Sequence, residues 1–183
     1  VSGPLELDAY KRVIAETIIS SRKNVYTVLN KVQKTGSELR TASYEILAGT
    51  TTVTRYREFG FQYRFDVTKV FFSGRMAYER RRVTEQVEPG ETVLVPFCGV
   101  GPFAIPAAAR GARVTAIEKN PEAYGWLQEN IVLNHVEGSV TAIQGDARDT
   151  GYLQGMRFDR IIIPTPYGMT DSLDIFSPFA ARD

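Results

Sequence analysis

Residues 91–134, ETVLVPFCGVGPFAIPAAARGARVTAIEKNPEAYGWLQENIVLN, decide the fold. The β-branched run ETVLVPF enters Cys98-Gly99-Val100-Gly101, and an alanine-rich helical stretch from about Phe103 to Arg110 follows. ARVTAIE reads as a second strand and Pro121 to Asn134 as a second helix, with Asn120 as its N-cap and Pro121 at the first helical position. Strands alternating with helices through short connections predict a parallel, doubly wound sheet.

Downstream, SVTAIQ (139–144) and FDRIIIP (158–164) supply third and fourth strands. Sheets of this kind ordinarily continue further, and the sequence begins at Val1. We therefore expect a Rossmann-like domain whose C-terminal strands are missing.

Upstream, residues 74–87, GRMAYERRRVTEQV, predict a helix that turns Met76, Tyr78, Val83 and Val87 inward and its arginine run outward, stopped by Pro89-Gly90. Before it, VYTVLNKV, YEILAG, TTVTRYRE and FQYRFDV carry strand-like runs, the last two forming a hairpin around Phe59-Gly60. An amphipathic helix over residues 5–20 opens the chain, with Leu5, Tyr10, Val13, Ile14 and Ile18 near one face. The expected division is a small α+β module over residues 1–69 and a cofactor domain over residues 70–183.

Charge divides as well. Residues 1–82 hold 15 Lys+Arg against 8 Asp+Glu, or +7; the remainder holds 7 against 13, or −6. Such segregation suits an N-terminal module that docks a polyanion, nucleic acid being the obvious one, although it also fits an ordinary solvated surface. No apolar run approaches the length of a membrane span, and the N-terminus lacks the regions of a signal peptide. One cysteine, Cys98, and one histidine, His135, supply neither a disulfide nor a Cys/His metal site. The expectation is a cytoplasmic protein without metal or membrane partner, of unknown oligomeric state.

The chemistry gathers at the strand ends. Gly99 and Gly101 make a G-x-G turn where the first strand meets its helix, which lets the backbone approach a ligand closely; any tight turn can also use two glycines. Glu118 ends the next strand, where Rossmann-type sites place an acid that accepts from ribose hydroxyls; the plainer reading is a solvated charge. Asp146, in Gly145-Asp146-Ala147-Arg148, puts a second carboxylate at another strand end, suited to an adenine amino group. The turn lacks the third glycine of a dinucleotide fingerprint and continues into Pro102-Phe103. A nucleoside with a short zwitterionic tail, S-adenosylmethionine, fits better. After the fourth strand, Pro164-Thr165-Pro166-Tyr167-Gly168 presents carbonyls and a ring on the same edge, or simply turns the chain.

These stretches, with FDVTKVFFS (65–73), GVGPF (99–103) and EKNPEA (118–123), resemble the archaeal and eukaryotic tRNA methyltransferases that act on N1 of the guanosine beside the anticodon, and their wybutosine-pathway aminocarboxypropyl-transferase relatives. The likeness covers roughly Asn24 to Ile163. It implies cofactor contacts from Phe97, Gly99, Gly101 and Pro102, a ribose acceptor at Glu118 flanked by Lys119, and an adenine-side carboxylate at Asp146 beside Ala147. It further implies that Arg57 stabilises charge on guanine O6, that Glu85, or else Glu79, acts as general base, and that Thr165 and Tyr167 face the target base. The sequence departs from that pattern at Val95, where the family has an aspartate, at Pro164-Thr165-Pro166, where it has Asn-Leu-Pro, and at Gly74, where a proline is expected.

Four functions follow from this reading. The first is methyl transfer from S-adenosylmethionine to a base of tRNA or another structured RNA, guanine N1 being favoured. The others are aminocarboxypropyl transfer from the same cofactor, a non-catalytic cofactor- and RNA-binding relative, and a small-molecule or protein methyltransferase.

Overall fold

The computed structural model describes residues 5–33, 43–165 and 169–181. The chain forms two compact units, one of residues 1–54 and 66–71, the other of residues 55–65 and 72–183.

In the first unit a 3-10 turn (Leu5–Tyr10) runs into α1 (Lys11–Ser21), followed by the antiparallel pair β1 (Val28–Gln33) and β2 (Ser43–Ala48). The sheltered face of α1 runs through Lys11, Ile14, Ala15 and Ile18, while Tyr10 and Val13 are exposed, contrary to the sequence expectation. The 3-10 turn advances about 120° per residue rather than 100°, so a helical period carried through it arrives one residue out of phase. At the end of this unit Asp66 accepts from the Thr52 hydroxyl at 2.8 Å and from the Thr68 N–H at 2.8 Å. Burial tends to raise its carboxyl pKa, but hydrogen bonds from Thr68 and Thr52 prevail and lower it.

The second unit is built on four parallel strands in the order β7-β6-β5-β8: β5 (Thr92–Pro96), β6 (Arg113–Glu118), β7 (Val140–Gln144) and β8 (Arg160–Ile161). The helices α3 (Ala104–Ala109) and α4 (Pro121–Leu133) carry the crossovers. Asn120 caps α4 by accepting from the Glu122 N–H at 3.0 Å. β5 is buried on both faces and begins the sheet; the chain winds outward to β7 and then returns to β8 on the far side. That reversal places a crevice at the carboxyl ends of β5 and β8. Leu94, Ile117, Ala147, Leu153, Phe158 and Phe176, the last from α5 (Ser172–Phe176), fill the core below it.

β8 is much shorter than FDRIIIP suggests. Ile162 donates to the Leu94 carbonyl at 2.8 Å, and the next rung of this parallel ladder would need an N–H at position 96. Pro96 has none, so pairing stops and the chain is released toward the crevice.

The helix before the sheet also differs from expectation. A 3-10 turn (Gly74–Met76) leads into α2 (Ala77–Thr84), where Arg80 and Thr84 are buried and Met76 and Tyr78 are exposed. Arg80 forms a buried fork with Glu58, at 2.6 Å from Nε and 2.5 Å from the terminal nitrogen, and gives a third bond to the Ser73 carbonyl at 3.0 Å. A buried carboxylate on the neighbouring strand thus turns the arginine inward, which hydrophobic periodicity does not register.

Candidate functional site

β3 (Val53–Glu58) and β4 (Phe61–Asp66) form the hairpin that carries Arg57. Exposure alternates along β3, so Arg55 and Arg57 share the open face while Tyr56 and Glu58 turn inward. Tyr56 packs on Phe72 with ring centroids 4.9 Å apart, and Phe65 stacks on the same ring at 4.7 Å.

Asn130 of α4 and Asn134, its C-cap residue one turn later, act as a substitute strand against the hairpin. Asn130 accepts from the Arg64 N–H at 2.7 Å and donates to the Arg64 carbonyl at 3.1 Å. Asn134 repeats the pattern on Gln62, at 2.9 Å and 2.7 Å. The fully buried Asn130 also donates to the Val100 carbonyl at 3.1 Å, so one amide joins the hairpin to the glycine turn. The sequence reading missed both residues; their i, i+4 spacing on α4 was the available signal.

The glycine turn is held by Glu118. Its carboxylate accepts from the Gly99 N–H and from the Asn120 N–H, each at 2.7 Å, so one side chain ties the first turn to the cap of the second helix. The glycines have different tasks. Gly99, at φ 58°, faces open space, whereas a side chain at Gly101, at φ 93°, would strike Leu127 and Ile105 within 3 Å. Phe97 also takes a positive φ, 55°, and sets its half-buried ring edge-on to Phe176 at 5.8 Å. Pro102 is partly exposed at the start of the next turn. The buried Cys98 thiol is pushed up by desolvation and by the charge of Glu118, which keeps it protonated and inert.

Asp146 stands one strand further on, with Ala147 buried beside it. Its carboxylate takes hydrogen bonds from the Arg148 side chain, the shortest at 2.6 Å, from the Arg148 N–H at 3.0 Å, and an ion pair with Lys119 at 3.1 Å. Arg148 above all, against a smaller desolvation penalty, holds this carboxyl far below the usual carboxylate range. It is therefore charged at any physiological pH. Arg148 and Lys119 are both partly exposed at this carboxylate.

Thr165 is exposed, with its N–H donating to the Ile163 carbonyl at 2.8 Å. Tyr167 lies outside the described residues. Glu85 caps the end of α2 and pairs with Arg81 at 2.6 Å, and Glu79 pairs with Arg82 at 2.6 Å; both are about half exposed. Val95 is wholly buried in β5. Gly74 makes room for Tyr56, whose hydroxyl would stand 3.1 Å from any β-carbon there. The structure thus brings Phe97, Gly99, Glu118, Lys119 and Asp146 to consecutive carboxyl ends of β5, β6 and β7.

Residues 54–180 match the family model of the TRM5/TYW2 methyltransferase domain. The chain belongs to this family. Residues 1–52 match the TYW2 N-terminal domain. Among curated relatives of the TRM5/TYW2 family, tRNA (guanine(37)-N(1))-methyltransferase Trm5b of Pyrococcus abyssi is 41% identical over 164 residues, covering 89% of this chain and 48% of the relative. The crystal structure of that wild-type Trm5b superposes with a TM-score of 0.85 at 38% identity, over 98% of this chain and 53% of the other. The complex of aTrm5 with tRNALeu gives 0.85 at 28% identity, over 95% and 51%. TYW2 of Pyrococcus horikoshii in complex with MeSAdo gives 0.73 at 38%, over 86% and 55%. The chain spans between 28% and 48% of the length of the curated relatives it matches. Its Rossmann-like, class I methyltransferase fold is that of these structures. No helix among the described residues is long and apolar enough to cross a membrane.

Proposed function

We propose that this chain is the cofactor-binding part of an S-adenosylmethionine-dependent tRNA methyltransferase, with N1 of a guanine as the target. The observation that carries the reading is the Glu118 bridge: a strand-end carboxylate that ties the Gly99 and Asn120 N–H groups together, with the Asp146 carboxylate one strand further on. The named relatives support the reaction class, and the complex of aTrm5 with tRNALeu supports the partner.

When bound, the cofactor supplies an electrophilic carbon next to a sulfonium. The protein positions and polarises. Glu118 takes the ribose hydroxyls and Asp146 the adenine amino group. Phe97, Gly99, Pro102 and Ala147 shape the walls, Gly101 keeps the turn packed on α4, and Lys119 balances Asp146. Guanine N1 is a weak acid, and removing its proton places charge on O6. Arg57, on the open face of β3, stabilises that charge, and Glu85 at the end of α2, before Glu79 within it, receives the proton. Thr165, after β8, faces the base, and the same role is proposed for Tyr167. The module of residues 1–69, with its positive balance, docks the RNA, and residues 70–183 form the cofactor domain. A cytoplasmic location belongs to the same reading.

A second reading has a specific observation behind it. Residues 1–52 match the TYW2 N-terminal domain, so aminocarboxypropyl transfer is the alternative outcome. Cofactor labelled either on the methyl or on the carboxyl carbon decides between them. Incubated with tRNA, the methyl label alone should enter RNA; entry of the carboxyl label establishes the second reading, and entry of neither overturns both.

A further inference from the structure

Neither the turn nor the core gains from a phenyl ring at position 59. Phe59 and Gly60 form the two-residue tip of the β3–β4 hairpin with φ of 47° and 92°, a conformation that suits Asn-Gly or Asp-Gly and strains a bulky side chain. The ring is 45% exposed. Tyr78, on the outer side of α2, is 80% exposed and meets Phe59 edge-on, with ring centroids 5.8 Å apart at 72°. The Arg81 guanidinium lies over Phe59 at 5.0 Å. Two open aromatic rings, a cation on one of them and local backbone strain therefore coincide outside the cofactor site.

We infer that Phe59 and Tyr78 form a stacking platform for one unpaired nucleobase of the RNA. The inference rests on the RNA reading above and deepens it. Arg81 already covers one face of Phe59, so the base lies on Tyr78, with Phe59 closing its edge. Charge chooses nucleic acid over an apolar protein partner. Arg55 and Arg57 alternate onto the open face of β3 and lead directly to Phe59, and neither has an ion pair among the described residues. A rail of guanidinium groups ending on aromatic rings matches a strand in which each base is followed by a phosphate.

Fluorescence anisotropy with a labelled RNA stem-loop bearing unpaired loop nucleotides tests this. Stacking of one base corresponds to about a tenfold change in affinity, so Tyr78→Leu should weaken binding by that order while Tyr78→Trp retains it. Phe59→Asn should also weaken binding, yet leave the unfolding temperature unchanged or raised, because asparagine suits the turn. The slope of affinity against salt should stay as in the wild type for these variants, since no charge is removed, and fall for Arg57→Ala. Wild-type affinity in Tyr78→Leu and Phe59→Asn overturns the platform while leaving the RNA reading standing. Absence of RNA binding by the wild type overturns that reading and the platform with it. A change of oligomeric state in sedimentation with RNA affinity intact shows that a second copy covers the rings and also overturns it.

Discussion

At the scale of single residues, the site depends on carboxylates whose surroundings differ. Asp146 is held in its charged form chiefly by Arg148. A depressed folded pKa stabilises the protein at pH above the unfolded value of about 3.9, and the contribution is lost only as pH falls through the folded value. Asp146→Asn should therefore lower the thermal midpoint at neutral pH, and the difference from wild type should shrink only in strong acid, below about pH 3.9. A gap already closing between pH 6 and pH 5 would contradict this assignment. Arg57 is different in kind, because it stands exposed with no ion pair among the described residues. Arg57→Ala should lower the single-turnover rate at saturating RNA by roughly a hundredfold with cofactor affinity almost unchanged, as expected for loss of a preorganised charge-stabilising donor. An unchanged rate with weaker RNA binding would reduce it to a phosphate contact. Much of this scale could be read from sequence: the positions of Glu118 and Asp146 at strand ends follow from strand length and the turn after each. What could not be read is which groups already hold them. The Gly99 N–H on Glu118 and the Arg148 fork on Asp146 depend on local turn geometry rather than on residue type.

Elements add constraints that periodicity conceals. The four strands, the capped α4 and the hairpin were legible because each rests on a local pattern: β-branched runs, Asn120-Pro121, and Phe59-Gly60. Arg80 was not. A helix of mean polar character has no apolar stripe to orient it, and the inward face of α2 is set by Glu58, a residue 22 positions earlier. Glu58→Gln should cost about 3 to 5 kcal/mol in chemical denaturation, because it strands a buried guanidinium. A cost under about 1 kcal/mol would show that water reaches the pair. The asparagine ladder makes a comparable prediction. Asn134→Ala leaves an N–H and a carbonyl of Gln62 unpaired and should cost about 1 to 3 kcal/mol without affecting cofactor affinity. Asn130→Ala should also weaken cofactor binding, since only Asn130 reaches the glycine turn. Equal effects of the two on cofactor affinity would remove that distinction. Likewise the short β8 was hidden in a sequence of three isoleucines, and its length is set by Pro96 on a neighbouring strand.

Across the whole molecule, residues 1–82 carry a positive balance and the remainder a negative one, and the proposed function assigns them two tasks. RNA affinity should fall steeply with salt, in proportion to the phosphates neutralised; a flat response would deny the N-terminal module a docking role. The sheet keeps the other task at one edge, where the winding reverses and β5, β6 and β7 end together. The claim on which the whole account depends is that this edge holds S-adenosylmethionine through Glu118. Isothermal titration of the cofactor into wild type and Glu118→Ala tests it most directly, with a ligand-free unfolding curve for each variant to confirm that the fold survives. Loss of bonds to a charged acceptor, at about 1.5 to 3 kcal/mol each, predicts affinity weakened by at least about tenfold in a folded variant. Wild-type affinity in folded Glu118→Ala would place the cofactor elsewhere and contradict the account.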